Sequence, residues 1–180
     1  DYPVDGFELR LNHQPYYFHP KEVDAGRSIM TDWVGRVHEA VKSSGADREL
    51  AIRIPISIED CQSVGLDPQE WTKLGIVDVL IGQPFGHTDF VEQTADFSGL
   101  QAVANGSDCR VIASIQSRIA SDRLSDSPIS IVRATACNYW AQGVDGLYLA
   151  QWFQHWPYQA PFYEMLREMP HPDVMAAKDK

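Results

Sequence analysis

Residues 4–13 constrain the fold of this chain most, because their apolar and polar side chains alternate strictly. Side chains on a β-strand repeat every two residues, so the apolar set falls on one face and the polar set on the other. The two sets are Phe7, Leu9 and Leu11, and Glu8, Arg10 and Asn12. A half-buried surface strand has this pattern. So does a parallel strand of a closed barrel that packs its apolar side against outer helices.

The remainder of the chain favours the barrel. Four further stretches are typical of strands, and helical stretches separate them. The predicted strands are 50–55, 76–82, 110–116 and 144–152, and the predicted helices are 28–43, 67–75, 90–105, 127–142 and 162–168. Strands that alternate with helices imply right-handed crossovers and a parallel sheet. We therefore predict an α/β fold, a partial TIM-type (β/α) barrel with about five parallel strands. No strand is followed by a glycine-rich phosphate turn, which argues against a nucleotide-binding sheet.

Length and charge limit the domain organisation and the partners. The 180 residues suffice for one domain with a sizeable core, which we place at 1–170, with a frayed tail at 171–180. The formal net charge of −10 argues against nucleic acid and anionic membranes as partners, since both attract basic surfaces. No apolar run approaches the roughly 20 residues of a membrane span. His87 and Asp89 are too few for a metal site, and we expect neither a metal nor a cofactor.

Several short segments resemble those of glycoside-hydrolase-like barrel proteins, and together they span nearly the whole chain. They are Asp5-Gly6-Phe7-Glu8-Leu9, Arg53-Ile54-Pro55, the run 65–71 (GLDPQEW), Gly75-Ile76-Val77-Asp78 and the run 143–149 (GVDGLYL). The resemblance implies the later part of an eight-stranded barrel that lacks roughly its first three βα units. It also implies a carbohydrate as substrate or ligand.

One departure from that family pattern concerns the chemistry. The resemblance implies an acid two positions after Glu8, and this chain has Arg10 there. The chain also has Asn12 where an arginine often follows. If that acid is catalytic in the relatives, this chain has reduced hydrolytic activity, no activity or another function.

Candidate site residues follow from the rule that barrel active sites lie at the carboxyl ends of the strands. Glu8 is the candidate catalytic carboxylate, because it is the acid on the polar face of a predicted strand. The predicted substrate-binding residues are Arg10, Asn12, His13, Arg53, Gln83, Gln116 and Trp152. Glycoside hydrolysis usually needs a second carboxylate, and the loop acids Glu59, Asp60, Asp89 and Asp122 are the alternatives for it.

Structural interpretations compete with each of these assignments. Glu8, Arg10 and Arg53 can form an ion-pair network inside the sheet, because buried charges must be paired. His13 can be an ordinary loop residue. Trp152 can pack at the rim of the core instead of stacking on a sugar.

Three functions stay open: a carbohydrate-active hydrolase, a carbohydrate-binding barrel without its acid pair, and a fragment dominated by self-association. Five strands cannot close a barrel of eight, so two edges with unpaired backbone groups remain. We expect a homodimer in which two copies cover each other's open side. The alternative is that the loop 14–26 and the segment from residue 156 cover the gap within one chain.

Overall fold

Five parallel strands alternate with helices in the computed structural model, which describes residues 3–86, 90–119, 127–150 and 160–178. The strands are β1 (Gly6–Arg10), β2 (Glu49–Pro55), β3 (Val79–Gln83), β4 (Arg110–Ile115) and β5 (Gly146–Leu149). The helices are α1 (Val23–Ser44), α2 (Ile58–Ser63), α3 (Pro68–Leu74), α4 (Ser98–Ala104), α5 (Ile129–Ala141), α6 (Ala160–Glu168) and α7 (Pro172–Lys178). The predicted partial α/β (β/α) fold is confirmed.

The spatial order of the strands equals their order in the chain. The sheet runs β1-β2-β3-β4-β5, and every neighbouring pair is parallel. A doubly wound sheet reverses its strand order at a switch point, whereas here each crossover advances in the same direction. Right-handed crossovers in one direction place the helices on one face of the sheet. We call this the outer face and the opposite one the inner face.

The outer face carries the hydrophobic core. Its strand residues are almost fully buried beneath the helices: Leu50, Ile52, Ile54, Leu80, Val111, Ala113 and Ile115. Trp71 of α3 is buried among them, and its Nε1 donates to Thr31 Oγ1 of α1 at 3.0 Å. The apolar alternation of the sequence thus faces the helices, as predicted. Within the described ranges, no helix has both the length and the apolarity to cross a membrane.

Aspartates fix the amino ends of two strands by the same geometry. Asp78 Oδ2 accepts the Leu50 N–H at 2.7 Å, while its own N–H donates to the Leu50 carbonyl at 3.0 Å. Asp145 Oδ2 accepts the Val111 N–H at 2.8 Å, and the Asp145 N–H donates to the Val111 carbonyl at 2.8 Å. Asp78 directly precedes β3, and Asp145 directly precedes β5. They hold neighbouring strands in register at the end opposite the candidate site.

Several element boundaries differ from the predictions, and helix α2 was not predicted. Helix α1 begins at Val23, before the predicted cap, because Ser28 bonds back to the Ala25 carbonyl inside the helix. Helix α4 begins at Ser98, since the Glu92 and Asp96 side chains each accept a backbone N–H two residues on and stabilise turns. The predicted frayed tail at 171–180 is wrong for residues 172–178. They form α7, whose Met175 is fully buried.

Helices α5, α6 and α7 meet around one carboxylate. Arg133 of α5 donates from Nε to Glu168 Oε2 at 2.6 Å and from Nη2 to Oε1 at 3.1 Å. Lys178 of α7 also bonds to Glu168. These two cations hold the pKa of Glu168 at about 2, against an ordinary value of 4.5, with the Arg133 bonds contributing most.

We expect acid to weaken this helix cluster between pH 4.5 and about 2. The depressed pKa stabilises the folded state fully above the ordinary value, and protonation removes that stabilisation as the pH falls through the folded value. Urea unfolding of wild type and Glu168→Gln should therefore give a difference that shrinks across this window. Glu70→Gln, at an exposed pair with Lys73 on α3, is the control. A difference that stays constant from pH 7 to 3 would contradict the assignment.

Candidate functional site

The strand register brings charged and polar residues together on the inner face. Arg10 of β1 lies opposite Arg53 of β2, and Ser114 of β4 lies opposite Tyr148 of β5. Glu8 lies two residues before Arg10 in β1, so its side chain is on the same face of the sheet as that of Arg10. The buried Val79 and Ile81 of β3 form an apolar strip in the middle of the inner face, and buried polar side chains follow at the carboxyl ends.

Arg53 is the centre of the polar contacts. Its Nε donates to Glu8 Oε1 at 2.7 Å, and its Nη2 bonds to the same carboxylate and to the Tyr148 hydroxyl at 2.7 Å. Its Nη1 donates to Gln83 Oε1 at 3.3 Å. The guanidinium carbon lies 4.5 Å from the centre of the Tyr148 ring, in cation–π contact. We call Glu8, Arg53, Gln83 and Tyr148 the inner-face cluster.

The cluster shows that the sheet is strongly curved. Strands β2 and β5 are separated by three strand intervals, roughly 14 Å in a flat sheet. Arg53 and Tyr148 nevertheless bond directly across the inner face. The sheet therefore bends around this face, as barrel strands do.

The predicted ion-pair network is confirmed for Glu8 and Arg53. The Arg53 side chain is 12% exposed and that of Glu8 is 30% exposed, so the pair is partly screened by solvent. Arg10 bonds to Asn12, from Nε to Oδ1 at 3.3 Å. Burial raises the pKa of the Tyr148 hydroxyl, which the Arg53 charge partly opposes. Tyr148 therefore stays a neutral phenol at neutral pH.

Buried amide side chains follow at the carboxyl ends of β1, β3 and β4. They are Asn12, Gln83 and Gln116, each at most 1% exposed. Asn12 is held by Arg10 and by a 3.5 Å bond from its Nδ2 to the Pro84 carbonyl. Gln83 Oε1 accepts from Arg53, and Ser114 Oγ lies 3.4 Å from it. All three were predicted as substrate-binding residues, and the structure places them at the same rim.

Some buried polar atoms have no hydrogen-bond partner among the described residues. They include both amide atoms of Gln116 and Nε2 of Gln83 at this rim, and the hydroxyl of Tyr17 in the loop after β1. Burial raises the pKa of Tyr17 to about 12, with Arg10 opposing the shift. A buried polar group without a hydrogen bond costs about 1–3 kcal/mol, so native proteins contain few of them. Gln83 and Gln116 thus bring unpaired buried amide atoms to one rim of the sheet.

The other predicted site residues lie elsewhere or outside the described ranges. His13 is half-buried in the loop after β1, and its Nε2 lies 3.3 Å from Gln14 Nε2. Glu59 accepts from Ser57 Oγ at 3.0 Å, at the start of α2. Trp152, His87, Asp89 and Asp122 lie outside the described residues.

No second carboxylate joins the inner-face cluster within the described part of the chain. Among those residues the carboxylate bonded to Arg53 is that of Glu8. Nor do three histidine, cysteine or acidic side chains in these ranges gather as metal ligands do. The described members of the cluster are thus an ion pair, a phenol and an amide.

Tyr148 and Tyr17 were missed as site residues by sequence reasoning. A signal for Tyr148 exists, because residues 4–9 (VDGFEL) and 144–149 (VDGLYL) match position by position and set Tyr148 equivalent to Glu8. Tyr17 gave no such signal, since it lies in an irregular loop. The chain matches no protein family and no curated protein sequence.

Proposed function

We propose that the carboxyl end of the sheet binds a neutral carbohydrate without hydrolysing it. The observation that carries this proposal is Gln116, whose amide is 1% exposed and lacks a hydrogen-bond partner among the described residues. Ligands of parallel α/β folds bind at the carboxyl ends of the strands, where Gln116 lies.

The buried polar side chains at the carboxyl end of the sheet are suited to a ligand whose polar groups are hydroxyls. A primary amide presents two donors and an acceptor, and a sugar hydroxyl both donates and accepts. Gln83 and Gln116 supply such amides from neighbouring strands, and Ser114 and Ser117 add buried hydroxyls. The resemblance of the strand entries to glycoside-hydrolase-like barrels also supports a sugar.

Binding is favoured over cleavage because of how Glu8 is held. Glycosidases flank the scissile bond with two carboxyl groups about 5–9.5 Å apart. Glu8 is bonded to Arg53, and Arg10 occupies the position where the resemblance implies an acid. The described residues thus offer a single carboxylate, already engaged in an ion pair.

The test is a thermal-shift screen with neutral tetra- to hexasaccharides of glucose, mannose, xylose and galactose. At a concentration of 100 times Kd, a ligand should stabilise the protein by about 2.7 kcal/mol. We expect at least one sugar to raise Tm, and Gln116→Leu to abolish that shift. Arg110→Gln, at the amino end of β4, is the control and should keep the shift.

Aryl glycosides of the same four sugars separate binding from hydrolysis. We expect no release of the aryl alcohol above the rate without protein. Release that disappears in Glu8→Gln would show a hydrolase. If no sugar in the panel raises Tm, the carbohydrate proposal is wrong.

A further inference from the structure

We propose that two copies of this chain associate through the free edge of β1, antiparallel, about a two-fold axis at Leu9. This inference is independent of the proposed carbohydrate site. Strand β1 ends the sheet, with β2 as its single neighbour among the described strands. An exposed sheet edge is a template for pairing with another chain.

The hydrogen bonds to β2 show which backbone groups face that edge. The Leu11 N–H donates to the Arg53 carbonyl at 2.7 Å, and the Asp5 carbonyl accepts from Glu49 at 2.9 Å. Odd-numbered residues of this strand therefore point their backbone groups toward β2. Since these directions alternate along a strand, the N–H and C=O groups of Gly6, Glu8 and Arg10 point away from the sheet.

Charge selects one register for the antiparallel pairing. A two-fold axis at Leu9 sets Glu8 opposite Arg10 of the partner subunit, in both directions at once. An axis one residue away, at Glu8, would instead set two glutamates against each other. Opposite charges across a strand pair stabilise it and like charges destabilise it. The overall charge of −10 opposes association, but salt screens it beyond about 8 Å.

The outer face beside this edge is apolar and uncovered. Phe7 and Leu9 of β1 and Trp33, Val37 and Val41 of α1 line a cavity of about 500 Å³. Phe7 is 49% exposed, and Ile29 continues the Trp33–Val37 stripe as another exposed residue.

The same two-fold axis covers this cavity. It runs perpendicular to the sheet, so it keeps both outer faces on the same side. In each copy α1 lies over the interval between β1 and β2. The axes of the two α1 helices would then be roughly 10 Å apart, which is the usual distance between packed helices. Each copy thus lays its Phe7 and α1 stripe against those of the other copy.

Light scattering coupled to size exclusion tests the dimer at micromolar concentration. We expect wild type at twice 20.3 kDa. Phe7→Lys, on the outer face, and Arg10→Glu, which sets two glutamates opposite each other, should each shift the mass to 20.3 kDa. Leu74→Lys, an exposed apolar residue at the end of α3, is the matched control and should stay dimeric.

Circular dichroism shows whether each variant is folded. If Phe7→Lys or Arg10→Glu is unfolded, the milder substitution Phe7→Ser or Arg10→Gln takes its place. A wild-type mass of 20.3 kDa that persists on tenfold concentration overturns the proposal. So does a dimer that tolerates both β1 substitutions, which would place the contact on another face.

Discussion

Arg53→Ala is expected to lower the free energy of unfolding by about 3 kcal/mol, the lower end of the range for breaking a buried ion pair. The substitution removes donors from Glu8, Gln83 and the Tyr148 hydroxyl together. The lower end applies because the Glu8 side chain is 30% exposed and water can solvate it in part. Urea unfolding followed by far-UV circular dichroism measures the change.

Arg110→Ala is the matched control, because Arg110 also lies on the inner face in an ion pair. Its bond to Glu49 is 2.5 Å long, yet the side chains are 49% and 51% exposed. Exposed pairs contribute about 0–1 kcal/mol, so this variant should change stability little. Equal losses in the two variants would show that the Arg53 contacts are solvated and that the inner-face cluster does not hold the sheet together.

Gln116→Leu is expected to raise the free energy of unfolding by about 1–3 kcal/mol, although it replaces a polar side chain by an apolar one of similar size. Burying an amide without partners carries a desolvation cost of that order, and leucine removes the amide. Residues that lower stability in this way are typical of binding sites, where function and stability oppose each other. The same variant should lose the sugar-induced shift in Tm.

Gln142→Leu is the control, with the opposite sign expected. Gln142 accepts the Phe97 N–H at 2.7 Å and donates to the Ala95 carbonyl at 2.9 Å. Leucine there leaves both backbone groups unpaired, and stability should fall by about 1–3 kcal/mol. Destabilisation by Gln116→Leu as well would mean that Gln116 is satisfied in solution, and the main support for the binding site would be lost.

The strands were predictable because their patterns are local. The alternation in residues 4–13 and the apolar run at 76–82 depend on periodicity alone, and the structure contains β1 and β3 there. The strand–helix alternation then predicted the parallel sheet. Helices α2 and α7 were missed because both segments are short. The position of α7 depends on Met175 packing into the core and on Lys178 bonding to Glu168.

The candidate site was predictable in its position but not in its bonding. The rule that sites lie at strand carboxyl ends located Asn12, Gln83 and Gln116 correctly at one rim. The Arg53–Tyr148 bond joins residues 95 positions apart, and it depends on the curvature of the sheet, which the sequence does not show. Whether Glu8 pairs with Arg10 or with Arg53 likewise depends on that curvature.

The sequential strand order also bears on how the chain folds. Each strand bonds to the strands that precede and follow it in the chain, so the sheet can grow by adding one βα unit at a time. Closures between neighbouring units cost less entropy than closures between units farther apart in the chain. The Arg53–Tyr148 bond is the exception, because it requires β2 to β5 to be in place. It can therefore form only once these four strands are in place, and it links units that are not neighbours in the sheet.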